Sequence, residues 1–218
     1  MNERSFPSSA ALAACILAIA LATSPGVASA AEAGWSASAP LRHQIDGTCD
    51  AYAAAKGGAT YHLTRYSTPM MKMKSGWMLS DPAHDVRIMN SPNFSQGDFV
   101  TVVARGDQIL SAMLSSTDGS GDGGTLVAYC FIDGALARAS AEVGDVTDEM
   151  AWTHTVYYRS GKPVSDATVA HDLAKKRLVS PPPAPTAALQ ITVYESPDKL
   201  PFYTAFKSAR AGTLSRAK

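Results

Sequence analysis

The chain has 218 residues, with 19 basic and 19 acidic side chains, no net charge and 46% apolar residues. That balance excludes two partner classes: nucleic acid, whose binders carry a basic excess, and an anionic lipid surface held by charge alone. The length fits a single domain on a prior of roughly 100–200 residues each, enough to bury a real core.

Residues 1–30 read as a secretory signal peptide. Arg4 supplies the positive start, residues 10–23 the apolar run, and Ala28-Ser29-Ala30 an A-x-A exit. The run is too short for a membrane anchor, and no later stretch approaches the ~20 apolar residues of a span. The mature chain is expected to begin near Ala31 and to work in the periplasm or outside the cell. Leu12-Ala13-Ala14-Cys15 matches a lipobox in its letters. A lipobox follows its apolar run, however, and here the most apolar residues, 16–21, come after Cys15. Acylation of Cys15 is therefore the weaker reading. Loss of Cys15 with the signal leaves Cys49 and Cys130, an even pair that in an oxidising compartment reads as one disulfide. No C-x-x-C spacing favours a metal at this pair.

Residues 31–40 read as a flexible lead-in and 41–211 as one folded domain. A short helix is expected over 48–58, with Thr48 as cap and Gly57-Gly58 as stop. Residues 60–67 are aromatic and β-branched and read as a strand, while 70–79 are ambiguous. The centre repeats one plan, an apolar strand, a tight turn with glycine and a second strand, around Gly106, Gly134 and Gly161. Strands are expected over 99–104, 109–115, 125–132, 135–143 and 152–158, paired in sequence order. Alternation puts Trp152, His154, Val156 and Tyr158 on one covered face and Thr153, Thr155 and Tyr157 on the other. It likewise puts Ala135, Ala137, Ala139 and Ala141 together, opposite Leu136, Arg138, Ser140 and Glu142. A helix from Ser165 to Arg177 is expected, capped by Ser165, with Asp166 early and Lys175-Lys176-Arg177 late, and it is the expected cover of the Trp152 face. Pro181-Pro182-Pro183 ends it. A strand over 189–194, a helix over 201–210 and a disordered tail at 212–218 complete the reading.

Candidate sites are few. Residues 119–124 contain the letters G-x-G-x-x-G, but lie between two strands instead of strand and helix, so no dinucleotide site is expected. The same loop imitates the start of a calcium loop, yet Tyr129 occupies the position that needs a carboxylate. Arg105-Gly106-Asp107 spells an adhesion tripeptide inside a tight turn. Asp145, Asp148 and Glu149 read as a solvated acidic loop. Met70, Met71, Met73 and Met78, flanked by His62 and His84, carry thioethers that suit Cu(I), although alternation with Lys72 and Lys74 favours plain packing. Trp152, His154 and Tyr158 form the one pocket candidate, with His154 able to act as acid or base. No catalytic residue, nucleophile motif or cofactor motif is readable.

The fold class expected is α+β: an antiparallel meander with a few short helices near the ends, a mainly β sandwich or barrel being the alternative. The function expected is a non-enzymatic exported protein that binds a small molecule or a protein partner, without a cofactor. A methionine-based copper handler and a hydrolase whose residues converge only in space are the alternatives. Sequencing the N-terminus of the exported protein should give Ala31 or a neighbour; an acylated Cys15 at that end would overturn the cleavage reading.

Overall fold

The computed structural model describes residues 39–67, 76–118, 124–145, 149–180, 182 and 191–217. The expected meander is present. One nine-stranded antiparallel sheet has the order β2-β1-β3-β4-β5-β6-β7-β8-β9. Its strands are β1 (Ala59–Ser67), β2 (Met78–Ser80), β3 (Gln96–Arg105), β4 (Gln108–Asp118), β5 (Gly124–Ile132), β6 (Ala135–Asp145), β7 (Met150–Arg159), β8 (Lys162–Asp172) and β9 (Arg177–Val179). Three α-helices lie among the described residues: α1 (Ala39–Ala53), α2 (Pro82–Met89) and α3 (Tyr203–Arg210).

The central hairpins share one construction. Two-residue turns fall at Gly106-Asp107, Asp133-Gly134 and Ser160-Gly161, a spacing of 27 residues each time. Positive φ at both Asp133 and Gly134, and at both Ser160 and Gly161, gives the turn whose twist matches the flanking strands. Each returning strand then carries one extra residue at its third position: Leu110, Ala137 and Val164. These bulges bend the strands and re-aim side chains. The alanine row of β6 is split by its bulge. Ala139 and Ala141 pack with Leu136 in one core, whereas Ala137 packs in the other.

The sheet is buried on both faces. On one face α1 lays down Leu41, Ile45, Cys49 and Tyr52 against Cys130, Ala137 and Tyr157. That stripe, spaced four, four and three, is one side of a helix. The helix therefore spans 39–53 in place of the expected 48–58, beginning inside the expected lead-in, with Pro40 tolerated in its first turn. The Cys49–Cys130 disulfide joins α1 to β5 across 81 residues. Arg138 reinforces the joint with Asp46 at 2.7 Å and Asp50 at 2.9 Å. Tyr157 donates its hydroxyl to Asp46 as well, and burial followed by the Asp46 charge pushes its phenol up to about 12. Tyr157 thus lies on the face opposite Tyr158, as alternation requires, and that face too is buried, under α1.

The other face carries the larger core, Leu63, Val100, Val102, Ile109, Phe131 and Leu136, closed by Leu200, Phe202 and Phe206 from the C-terminal segment. Trp152 and Tyr158 are buried as expected, and Val156 and Tyr158 pack on this side. The cover is not a helix after Ser165. Residues 162–172 are strand β8, paired along the whole of β7. The Ser160-Gly161 turn commits the chain to fold back as a strand, and Lys175-Lys176-Arg177 belong to the next turn, where Lys175 binds Asp172 through both backbone and side chain. The described part of the expected strand at 189–194, residues 191–194, is irregular and lies against the core through Ile191 and Tyr194. The Tyr129 hydroxyl anchors it by donating to the Thr192 carbonyl at 2.9 Å.

The disulfide should be the largest single restraint on the unfolded chain. Replacing both cysteines by alanine should cost about 4 kcal/mol of unfolding free energy in urea, from the length of the closed loop. Equal midpoints for the double variant and the oxidised protein would refute it.

Candidate functional site

Two cavities adjoin the sheet. The first, about 90 Å³, lies beneath α1 and is mostly apolar, bounded by Cys49, Ala53, Val103, Met113, Ala128 and Cys130. The second, about 170 Å³, is lined by more polar groups and is built from three separate parts of the chain. Strand β1 supplies Thr60, Tyr61 and His62, the β2–α2 junction supplies Leu79, Ser80, Asp81 and His84, and the C-terminal segment supplies Arg216 and Ala217. Both exceed the roughly 10–15 Å³ one water needs, and both fall below the roughly 300 Å³ at which drug-sized ligands begin to fit.

The second cavity is positioned by local chemistry. Asp81 precedes Pro82 and caps α2, accepting the His84 backbone N–H at 2.8 Å. That contact holds its carboxyl below the usual range. The cap turns His84 and Asp85 inward, and they are 5% and 8% exposed. Asp85 accepts the Ser80 hydroxyl at 2.5 Å. Burial raises its pKa above the ordinary carboxyl value, opposed by Ser80 and the nearby histidines. Ser80 and His62 are cross-strand partners, and His62 Nδ1 lies 3.2 Å from the Thr101 hydroxyl. Arg87 donates to His84 Nδ1 at 3.1 Å. Two buried atoms are left with no hydrogen-bond partner among the described residues: His84 Nε2 and Thr64 Oγ1. Buried polar groups are nearly always satisfied, so each exception calls for an explanation, and His84 Nε2 belongs to a residue that lines this cavity.

Arg216 reaches this cavity because residues 215–217 dock beside β2. Leu79 donates to the Ser215 carbonyl at 2.9 Å, and Ala217 donates back to Leu79 at 2.8 Å. These residues lie in the stretch expected to be a disordered tail.

The residues singled out from sequence separate. Trp152, His154 and Tyr158 line neither cavity. His154 meets the Thr168 hydroxyl at 2.9 Å across β7 and β8. Met78 is buried on β2, while Met70, Met71 and Met73 lie outside the described residues. His62 and His84, noted only as flanks of the methionine cluster, come together with Ser80 and Asp81. The missed signal was Asp81-Pro82, a helix start that places His84 three residues into an inward turn. In the Arg105-Gly106-Asp107 turn both charges are used, Arg105 on the Gly57 carbonyl and Asp107 on Arg210.

Among the described residues no group of three or more His, Cys, Asp or Glu side chains stands close enough to hold a metal ion. No helix among them is long and apolar enough to cross a membrane. No family model, curated protein or solved structure matches the chain.

The buried carboxyl gives a pH signature. Its folded pKa is raised, so its contribution to stability is complete below about 3.8, the unfolded value, and is lost as pH rises through the folded value. Asp85→Asn keeps an acceptor for Ser80 without the charge. Urea unfolding should show this variant gaining on the natural protein between pH 3.5 and pH 7. A constant difference across that range would show that burial does not raise the Asp85 pKa.

Proposed function

We propose that this is an exported, non-enzymatic binding protein whose ligand occupies the polar cavity between β1, β2, α2 and the C-terminal segment. The observation that carries the reading is His84, which lines the cavity and is almost wholly buried, yet leaves Nε2 without a partner. An unpaired buried donor costs about 1–3 kcal/mol, and a bound acceptor recovers part of that. The cavity size limits the ligand to a few heavy atoms. The disulfide is compatible with an oxidising, exported setting and so supports the signal-peptide reading of residues 1–30.

The test is a titration of the ¹⁵N-labelled protein with acetate, ethylammonium and glycerol, one at a time. At least one probe should give saturable shifts centred on His62, Ser80 and the His84 imidazole, and His84→Gln should weaken it about ten-fold. Saturation confined to the apolar recess under α1, or none with any probe, would overturn the assignment.

A further inference from the structure

The polar cavity is a mixed site at first sight, lined by the acidic Asp81 together with Arg216 and two histidines, with Asp85 just behind Ser80. The hydrogen bonds separate these groups into committed and uncommitted ones. Asp81 is committed to the α2 cap. Asp85 is committed to the Ser80 hydroxyl, and Ser80 is thereby spent as a donor. Arg87 is committed to His84 Nδ1. Two nitrogen groups remain, one on His84 and one on Arg216, and both are donors. A guanidinium has only donors, so Arg87 makes His84 Nδ1 the acceptor, and in the neutral ring the proton sits on Nε2. That N–H has no acceptor among the described residues. The Arg216 guanidinium likewise has no hydrogen bond or ion pair there.

Resting on the proposed binding role, we infer that the ligand of this cavity is a small carboxylate. Its oxygens meet Arg216 at the mouth and the His84 Nε2–H deeper in. Both are donors, and arginine matches a carboxylate with two parallel bonds. The walls formed by Tyr61, Leu79 and Ala217 suit a short hydrocarbon stub behind the carboxylate. Charge favours one negative charge over two. The Asp81 carboxylate stands in the cavity wall and repels each negative charge the ligand brings, so a dianion such as phosphate is disfavoured more than a monoanion. His84 Nε2 has almost no exposed surface. A small turn of the ring that keeps Nδ1 beside Arg87 is therefore part of binding, and the ring itself reports it.

The experiment follows the His84 side-chain nitrogens while propionate, phosphate or ethylammonium is added at pH 7.5. It uses the natural protein, Arg216→Ala and Arg216→Lys. Arg216 is exposed and docks through its backbone, so both variants should keep the unfolding midpoint of the natural protein. Propionate should saturate, shift His84 Nε2 more than Nδ1, and bind at least about ten-fold more weakly to Arg216→Ala, with Arg216→Lys in between. Phosphate should bind more weakly than propionate. Unchanged propionate affinity in Arg216→Ala, or tighter binding of ethylammonium or phosphate at the same residues, would overturn the carboxylate assignment and leave the binding role standing. Saturation by none of the probes would overturn both.

Discussion

The architecture depends on the two-residue turn. A connection that short admits only antiparallel return, so each turn forces its two strands to be neighbours. Placed 27 residues apart, at Gly106-Asp107, Asp133-Gly134 and Ser160-Gly161, three such turns make β3 to β8 three successive hairpins. Asp133 and Ser160 accept positive φ there, a conformation that costs a residue with a side chain about 1–2 kcal/mol. The sheet returns that cost many times over. The bulge two residues into each returning strand is the second half of the device. In β6 it shifts alternation by one place, so Leu136 and Ala139 face the larger core while the consecutive Ala137 and Arg138 both face α1.

A single sheet with two apolar faces needs two covers, and both come from the ends of the described chain. Helix α1 covers one face and is held by a disulfide and by Arg138 with two carboxylates, because its own apolar stripe is only four residues long. The C-terminal segment covers the other mainly with apolar side chains, Leu200, Phe202 and Phe206 at its centre. Phe206 meets Tyr61 edge to face at 5.3 Å, and Phe202 meets Trp77 at 5.8 Å. Arg65 lies over Trp77 at 4.7 Å and binds Asp98 at 2.6 Å, which sets the Trp77 ring in place. One cover is therefore covalent and ionic, the other dispersive.

What was legible in the sequence follows from which forces are local. The hairpins were legible because strand alternation and turn glycines are local facts, as with residues 125–132 and Asp133-Gly134. The disulfide was legible from compartment and parity. Strand β8 was misread because Ser165, Asp166 and Lys175 to Arg177 imitate helix-end chemistry, whereas the deciding interaction is ladder pairing with β7, which no local pattern displays. The burial of Tyr157 was illegible because alternation says nothing of a sheet covered twice. The cavity was illegible for the same reason: His62, His84 and Arg216 are far apart in the chain, and only the docking of residues 215–217 on β2 brings them together.

That docking links the core to the cavity. Burial of Phe206 and Ala209 fixes α3 on the sheet. The helix then ends on a capped turn. Gly212 adopts positive φ, Thr213 and Leu214 return hydrogen bonds to the Ser208 carbonyl, and Leu214 drops back onto the core. The next three residues have nowhere to go but along the edge of β2, whose backbone groups would otherwise stand open to another chain. One short segment thus covers a core, protects a sheet edge and carries Arg216 to the polar cavity. Because Arg216 is placed by backbone pairing and not by its own side-chain contacts, its guanidinium stays uncommitted, which is the state a ligand-binding arginine requires.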